Sequence, residues 1–409
     1  MAAITIVAVG SRGDVQPYLA LGAGLVRAGA DVTVATHERF QPWVEAQGLG
    51  FARIPGDPLE VLRSAEGEEW QSAGRNAVSI ARGLVELAGP LADAFLAACV
   101  EAVRGADLVL FSALGIAAHH AAEAAGVRVA AAWLQPLTPT AEFPHLLLGG
   151  AALPRWARHA SHTLFDQVAW RFVAGQDRRW RRSLGLEAYG PAGPFHLVSE
   201  GRLPVLYGMS RALVPKPSDW PATVQVTGAW FLPGPDLDPD VDRFLSAGPP
   251  PVVVGFGSRL GEDPDAVAES AVSAARSVGV RLVLLSGWAG LGADGADDVL
   301  VVPEAPHDRL LPRSAGFVHH GGAGATHAGV RAGIPSFIDP SFADQFFWAH
   351  RVETAGAGER LRSADVDGFA LAFSRMVHQP WPGARRAADV MAAEDGVARA
   401  VEVVGELLR

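Results

Sequence analysis

A glycine-rich segment from 316 to 348 constrains this 409-residue chain more than any other feature. It predicts a short buried strand that ends at Val318, followed by paired histidines, a glycine turn and a helix. A helix that begins directly after Gly321, Gly322 and Gly324 leaves its first N–H groups unpaired, and glycine has no Cβ to hold a ligand away. Such a helix start binds phosphate groups.

Polar side chains follow both predicted strands of this segment. His319 ends the first strand, where it can add a hydrogen bond and, when protonated, a charge to the same anion. Asp344 and Gln345 follow a second strand-like run, Ser336-Phe337-Ile338. Because carboxyl ends of parallel strands meet at one edge of a sheet, we expect these groups near the bound anion.

These residues resemble the donor-binding signature of the inverting, nucleotide-sugar-dependent glycosyltransferases of the GT-B type, family 1, especially the bacterial natural-product and sterol-type branch. The pattern is His-His-Gly-Gly-Ala-Gly, then Arg-Ala-Gly-Ile-Pro, then Asp-Gln. A turn that only joined a strand to a helix would not require the histidines or the Asp-Gln pair. The resemblance implies an α/β fold with two doubly wound Rossmann-like domains facing each other across a cleft, and a C-terminal helix returning to the N-terminal domain.

Composition and net charge limit the functional classes to which this chain can belong. The net charge of -10 argues against a nucleic-acid partner, and the 49% of apolar residues predict a compact fold. The single cysteine, Cys99, excludes an internal disulfide and is interpreted as a packed thiol. We find neither a basic leader nor an apolar run near eighteen residues, which predicts a cytoplasmic protein without stable membrane insertion. Homodimerisation is left open.

The order of strands and helices occurs twice. The first βαβ unit begins with Ile4–Val9 and lacks Gly-x-Gly-x-x-Gly, which makes a nicotinamide enzyme a weak alternative. Prolines concentrate in 216–251, which is predicted as the interdomain linker. With the resemblance, the predicted domains are an acceptor-binding domain, 1–215, a nucleotide-sugar-binding domain, 252–380, and a helical segment, 381–409, packing on the first domain.

Asp14 has two interpretations. It follows the first strand, at the sheet edge where ligands bind, but it could instead be the N-cap of the helix that Pro17 begins. Gly-Ser-Arg-Gly-Asp-Val-Gln-Pro is similar to the family's first loop, whose aspartate is the proposed general base. Other branches use a histidine–aspartate dyad there; no histidine lies between Val9 and Thr36, so Asp14 would act alone.

The resemblance implies further donor contacts. Asp344 and Gln345 match the pair that binds the donor sugar, whereas their alternative is an N-cap of the following helix. His320 is interpreted as a packing residue. The predicted diphosphate contacts are His319, Gly322, Ala323, Gly324, Ser258, Ser11 and Arg12. The predicted nucleobase and ribose contacts are Glu304, Ala305, Pro306 and His307, with Glu304 in place of an aromatic residue.

Aromatic and aliphatic residues of the N-terminal half form the predicted acceptor pocket, although helix-spaced aromatics are more often core. They are Trp133, Leu134, Leu137, Phe143, Trp156, Phe165 and Trp170. Three Asp-x-Asp triplets, at 236, 263 and 365, are interpreted as linker or helix-start residues. The sequence thus predicts no metal and no cofactor, because a helix terminus and His319 can stabilise the leaving group.

The predicted function is inverting transfer of a hexosyl group, glucosyl or deoxysugar, from a UDP- or dTDP-sugar to a hydroxyl of a lipophilic small molecule. Polyketides, macrolides and sterol-like alcohols suit such an acceptor pocket. Two alternatives stand beside it: a nucleotide-sugar 2-epimerase of the same fold, and a non-catalytic auxiliary protein that binds a nucleotide sugar.

Overall fold

The computed structural model describes residues 1–57, 60–61, 64–71, 74–256, 264–286 and 298–409. The chain divides into two compact units. The first contains Met1–Leu232 and Glu394–Arg409, and the second contains Pro233–Ala393. Each unit is built around one parallel sheet, so the predicted pair of α/β domains is confirmed.

The first unit has a seven-stranded sheet in the order β3-β2-β1-β4-β5-β6-β7, and every neighbouring pair is parallel. Its central strands are short, apolar and buried, as expected when helices cover both faces. The strands are β1 Ala3–Val7, β2 Asp31–His37, β3 Gly50–Ile54, β4 Leu108–Phe111, β5 Arg128–Trp133, β6 Val205–Tyr207 and β7 Val224–Val226.

The described helices of this unit precede or follow these strands. They are α1 Arg12–Arg27, α2 Gln41–Ala46, α3 Ala65–Gln71, α4 Ala77–Ala88, α5 Ala92–Ala102, α6 Ile116–Ala125, α7 Arg155–Ser183, α8 His196–Ser199 and the C-terminal α16 Gly396–Leu408.

The second unit has a six-stranded parallel sheet in the order β10-β9-β8-β11-β12-β13. The strands are β8 Val252–Gly255, β9 Leu282–Leu285, β10 Val299–Val302, β11 Gly316–His319, β12 Ser336–Ile338 and β13 Gly358–Arg360. The described helices are α9 Pro239–Ser246, α10 Pro264–Val278, α11 His307–Leu310, α12 Ala323–Arg331, α13 Gln345–Ala355, α14 Val366–His378 and α15 Pro382–Ala392. Strand β11 lies between β8 and β12, so the glycine-rich segment starts from the interior of this sheet.

Helix α16 belongs to the first unit, as the resemblance implied for the chain's last helix. Val403 and Val404 join the core formed by β1, β2 and β4. A Cβ on Gly24 of α1 would lie 2.4 Å from Val397, so the two helices are in close contact. Where the chain re-enters this unit, a Cβ on Gly396 would lie 2.6 Å from the carbonyl carbon of Gly228, and only glycine fits there.

Two predicted segments contain ordered elements. The predicted linker, 216–251, contributes β7 to the first unit and α9 to the second. In α9, Val241 and Leu245 are buried, so this helix is part of a core. Of the predicted returning segment, 381–409, α15 belongs to the second unit and α16 to the first.

The apolar stretch Ala77–Ala102 requires a correction. No apolar run near eighteen residues is expected from the sequence, but α4 and α5 form a 26-residue helical stretch with a mean hydropathy of 1.6 in its most apolar window. By length and composition it could cross a membrane, and 17% of that window is buried. It was missed because Arg82, Glu86 and Asp93 interrupt the run without outweighing it. Core helices also meet this criterion, so it is weak evidence for a membrane span.

Candidate active site

His319 lies at the carboxyl end of β11, an interior strand of the second sheet. It is the last residue of β11 and is paired with Gly255 on one side and Ile338 on the other. Its ring is completely buried and stacks on Phe317, with 4.6 Å between ring centroids. Nδ1 accepts a hydrogen bond from the Gly321 N–H at 3.0 Å. The ring proton is therefore on Nε2, which has no hydrogen-bond partner within the described part of the chain.

This histidine is neutral. Burial, together with the neighbouring His320 and His307, holds the pKa of His319 well below its usual value. The charge that His319 was expected to supply when protonated is therefore absent at neutral pH. What His319 offers an anion is one N–H group.

Helix α12 begins directly beside it. Gly322 is the N-cap residue with extended backbone, φ -61° and ψ 148°, and no described side chain caps the helix. Gly322 and Ala323 are half-buried, whereas Gly324 is exposed, and a Cβ placed on Gly324 would meet nothing within 4 Å. The first N–H groups of α12 are thus accessible to an anion, as an uncapped helix start requires.

The glycine turn also contacts the start of α13. Gly321 has φ +91°, and a Cβ there would lie 2.7 Å from Ile338 and 3.1 Å from the carbonyl oxygen of Gln345. Only glycine allows this approach. The starts of α12 and α13 are therefore neighbours at one sheet edge, where the sequence analysis expected them.

Asp344 and Gln345 make local hydrogen bonds. Oδ2 of Asp344 accepts the Trp348 Nε1–H at 2.9 Å. Oε1 of Gln345 accepts the N–H groups of Ser341 and Phe342 at 2.9 and 3.0 Å. Asp344 occupies the N-cap position of α13, but its side chain makes no capping hydrogen bond. The Gln345 NH₂ group makes no hydrogen bond within the described residues and can donate to a ligand.

The predicted nucleobase residues follow β10 in the same unit. Glu304 is exposed, and Ala305, Pro306 and His307 are half-buried. The ring of His307 lies edge-on to Phe317, 5.4 Å between centroids, which connects it to His319. Ser258 lies outside the described residues.

In the first unit, Asp14 lies in the first turn of α1, just after the loop that follows β1. Helix α1 begins at Arg12, and Pro17 lies inside it, so the predicted N-cap role is wrong in position. Ser11 is the N-cap residue, and Asp14 is the third helical residue, whose Oδ2 accepts the N–H and the hydroxyl of Ser11, both at 2.9 Å. Burial raises the pKa of Asp14, although these hydrogen bonds lower it.

The other predicted donor contacts of this loop are engaged within the first unit. Ser11 donates to Asp14. The Arg12 guanidinium lies over the Trp43 ring, 4.5 Å from its centroid, a distance typical of a cation–π contact.

His37, which contacts the loop between β1 and α1, was not predicted from the sequence. His37, the last residue of β2, is buried, and its Nε2 accepts the Gly10 N–H at 3.3 Å. It lies just outside the interval searched for a histidine partner of Asp14. The signal that could have found it is its position at the carboxyl end of a strand adjacent to β1, since side chains at that edge meet.

The predicted acceptor residues separate into three groups. Trp133, Leu137 and Phe165 are half-buried. Leu134, Phe143 and Trp170 are buried at 5%, 7% and 6% exposure, and they pack in the core because their faces are covered by other side chains. Trp156 is 76% exposed on α7.

Ring contacts connect several of these residues. Trp133 contacts Tyr207, which stacks on Trp220 at 5.0 Å. Phe143 contacts Trp220 and His162, and His145 stacks on Phe165 at 4.4 Å. Trp170 instead contacts Tyr189 and Phe195. The half-buried members, Trp133, Leu137 and Phe165, keep part of their surface accessible, as does the exposed Trp156.

A buried charge network on α6 and α7 was also missed. Arg181 binds both carboxylate oxygens of Glu123 at 2.8 and 2.9 Å and lies over the Tyr189 ring. His120 contacts Asp177 at 2.9 Å. A run of arginines at the end of a helix is usually solvated, but Arg181 is 3% exposed. An arginine run alone does not reveal which member faces inward.

Among the described residues, one group has the spacing of metal ligands: His119, His120 and Glu123. Glu123 is paired with Arg181, so its carboxylate is already neutralised. Two of the Asp-x-Asp triplets contain helix caps, because Asp238 accepts the Asp240 N–H and Asp365 accepts the Gly368 N–H. Asp263 lies outside the described residues.

One parallel α/β unit thus has a helix start that no described side chain caps, beside a buried N–H donor, and the other has the Asp14 carboxylate in the first turn of α1. Residues 4–144 match the glycosyltransferase family 28 N-terminal domain, and residues 293–408 match the C-terminal domain of erythromycin biosynthesis protein CIII-like proteins. The chain therefore has the GT-B fold, and it is similar to glycosyltransferases along both of its units.

Individual relatives agree with this assignment. Sterol 3-beta-glucosyltransferase of Yarrowia lipolytica is 34% identical over 98% of this chain, which covers 28% of that protein. A glycosyltransferase of kitacinnamycin has a TM-score of 0.73 at 20% identity, covering 100% of this chain and 99% of its own. Streptomyces sp. SF2575 glycosyltransferase SsfS6, complexed with thymidine diphosphate, has a TM-score of 0.68 at 21% identity, covering 99% and 100%. The chain thus spans less than a third of the curated relative it matches.

Proposed function

We propose that this chain transfers a hexosyl group, glucosyl or deoxysugar, from a UDP- or dTDP-sugar to a hydroxyl of a lipophilic small molecule. The observation that carries this proposal is the uncapped start of α12 beside the Nε2–H of His319, which has no hydrogen-bond partner among the residues that the structure describes. These groups suit the diphosphate of a nucleotide sugar. The sterol glucosyltransferase relative and the thymidine diphosphate complex support an acceptor and a donor of these classes.

In the proposed reaction, Asp14 removes the proton of the acceptor hydroxyl as its oxygen attacks the anomeric carbon. Oδ2 of Asp14 holds the Ser11 groups, which leaves Oδ1 for the acceptor proton. The bond from the anomeric carbon to the diphosphate breaks, and charge develops on the leaving oxygens. His319 and the N–H groups of Ala323 and Gly324 stabilise that charge. One displacement inverts the anomeric centre.

The sugar and acceptor contacts complete the proposal. The Gln345 NH₂ group and the Asp344 carboxylate hydrogen-bond the sugar hydroxyls. Trp133, Leu137 and Phe165 are half-buried and present apolar surface to the acceptor. No metal takes part, because the helix start and His319 supply the leaving-group stabilisation that a metal provides elsewhere.

The test combines the protein with UDP- and dTDP-sugars and a panel of sterols and macrolide aglycones, and follows nucleotide release and product mass. Asp14→Asn should lower kcat by two to four powers of ten and retain nucleotide binding. Asp107→Asn is the matched control, since Asp107 also accepts a main-chain N–H, that of Ala3, at the opposite end of β1. Chelation with EDTA should leave the rate unchanged.

Three outcomes would contradict the proposal. Conversion of the sugar without an acceptor would indicate a 2-epimerase, an alternative that the sterol glucosyltransferase relatives do not favour. Nucleotide binding without product across the panel would indicate an auxiliary protein. A rate that EDTA abolishes and magnesium restores would remove the metal-independent mechanism.

A further inference from the structure

His37 connects two loops of the first unit through its two ring nitrogens. Nδ1 lies 2.9 Å from the carbonyl oxygen of Gly56, so it carries the proton and donates it. Nε2 then has a free lone pair, and it accepts the Gly10 N–H at 3.3 Å. Both contacts are satisfied only by the neutral ring, because a protonated Nε2 would place its hydrogen against the hydrogen of Gly10.

Gly10 is the residue against which the Asp14 carboxylate lies. Gly10 has φ +130°, and a Cβ there would lie 2.6 Å from Oδ2 of Asp14. The next N–H along the chain, that of Ser11, donates to the same oxygen at 2.9 Å. Two successive main-chain N–H groups are therefore fixed by two side chains, the first by His37 and the second by Asp14.

We propose that His37 is a positioning residue for sugar transfer: by accepting the Gly10 N–H it fixes the peptide that sets the place of the Asp14 carboxylate. The inference rests on the proposed function, in which Asp14 takes the acceptor proton. His37 touches neither the substrate nor the reacting atoms, and it acts through Gly10 and Ser11.

The surroundings of His37 set its protonation. Burial lowers the pKa of His37; the Gly56 and Pro55 carbonyl groups and Asp57 oppose this, and Arg39 adds to it. Asp57 and Arg39 form an ion pair at 2.7 Å, and the other neighbour is the uncharged Phe40 ring. His37 is thus neutral at pH 7 and takes a proton as the pH falls through its lowered pKa, which ends its contact with Gly10.

Two variants distinguish the effect of losing the hydrogen bond from Gly10 from the effect of losing the volume of the His37 ring. His37→Gln keeps a side-chain acceptor, whereas His37→Phe keeps the ring's volume and removes the acceptor. Thr5→Val is the matched control, because it removes another buried hydrogen bond of β1, from the Thr5 hydroxyl to the Ala102 carbonyl at 2.8 Å. We expect His37→Phe to lower kcat about tenfold or more, since small misplacements of a catalytic group are costly. His37→Gln should recover most of this loss, and the donor KM should change in neither variant.

The acid side of the pH profile gives a second result. Protonation of Asp14 stops the reaction and protonation of His37 adds its own loss, so log(kcat/KM) of the unmodified protein should fall with a slope greater than one over part of the acid range. In His37→Gln, log(kcat/KM) should fall with a slope of one, because only Asp14 then titrates. A slope of one in the unmodified protein, or equal kcat in His37→Phe and Thr5→Val, would overturn the inference while leaving the transfer reaction intact.

Hydrogen exchange of the peptide spanning residues 9–15, measured by mass spectrometry, needs no substrate. We expect about tenfold faster exchange in His37→Phe, near-normal exchange in His37→Gln, and no change in Thr5→Val, because only His37→Phe removes the acceptor of the Gly10 N–H, which lies within this peptide. Unchanged exchange in His37→Phe would overturn the inference. If no acceptor is glycosylated at all, the proposed function fails, and the exchange result still decides whether His37 holds Gly10.

Discussion

Nδ1 of His319 accepts the main-chain N–H of Gly321 at 3.0 Å, and this one hydrogen bond determines which ring nitrogen carries the proton. The remaining nitrogen, Nε2, is a buried donor without a partner among the described residues. An unpaired buried donor costs free energy in the empty protein. A ligand oxygen that accepts this hydrogen bond removes that cost, which favours binding of an anion at this position.

The first prediction concerns His319 itself. His319→Ala should lower kcat/KM for the nucleotide sugar by about 10², the usual effect of removing one donor to a developing negative charge. Because the pKa of His319 is held well below its usual value, the loss should be the same at pH 6 and pH 8. Steady-state kinetics with a fixed acceptor measure both.

His378→Ala is the control for this variant. His378 is also in the second unit, but it is exposed and its Nδ1 bonds to the Ser374 carbonyl of its own helix. Equal kinetics for the two alanine variants would show that His319 does not contact the donor.

The second prediction tests the start of α12. Gly324→Ala should fold normally, because the added methyl group meets no protein atom within 4 Å. It should weaken binding of UDP or dTDP about tenfold, since the methyl group occupies space in front of the helix N–H groups. Isothermal titration calorimetry measures the affinity. Gly405→Ala, in α16, also meets no atom within 4 Å and should bind nucleotide normally. Identical affinities would place the diphosphate elsewhere.

The third prediction concerns the pH dependence of transfer. Burial raises the pKa of Asp14, so the carboxylate is present only above this raised value and is lost as the pH falls through it. We expect the acid limb of kcat/KM to have its midpoint above about 4, the ordinary value for aspartate. In Asp14→Asn the residual rate should lack this ionisation. An unchanged acid limb in that variant would assign the ionisation to another group.

The fourth prediction concerns stability in acid. Burial lowers the pKa of His119, His162 and His327 to about 4 and that of His145 to about 3. Between pH 6.5 and these values the unfolded chain binds protons that the folded chain does not, so stability is lost as the pH falls below about 6.5. Each histidine should contribute about 1 kcal/mol of this loss between pH 6.5 and pH 5.5.

Urea unfolding at several pH values measures this effect. His327→Gln should reduce the slope of the free energy of unfolding against pH by about one proton. A stability that is constant from pH 7 to pH 5.5 would contradict the prediction.

Much of the fold is readable from the sequence because its central strands are continuous apolar runs. Ser336–Ile338 has the predicted bounds, and the buried strand Leu108–Phe111 is a run of four apolar residues. Strand β3, with Gly50, Ala52 and Arg53, and the three-residue β13 lack such a run, and they form because a neighbouring strand supplies their hydrogen bonds. The prolines around α9 concealed a helix that buries Val241 and Leu245.

The site was predictable where chemistry follows from backbone geometry. The helix start after Gly322 and the nearby Gln345 follow from glycine spacing and strand order. The neutral state of His319 does not, because it depends on burial by residues that are distant in the sequence. Likewise, His37 reaches Gly10 only once β2 is paired with β1, and the sequence separation of 27 residues hides that contact.

The first unit is assembled from two separate stretches of chain, whereas the second, 233–393, is continuous. The second unit is therefore an insertion within the chain of the first unit. Exchanging the second unit between related enzymes requires joining the chains at 232/233 and at 393/394. Each hybrid must keep the Gly228–Gly396 contact of the first unit. Removing the carboxyl-terminal helix α16, in contrast, destabilises the first unit and leaves the core of the second unit intact.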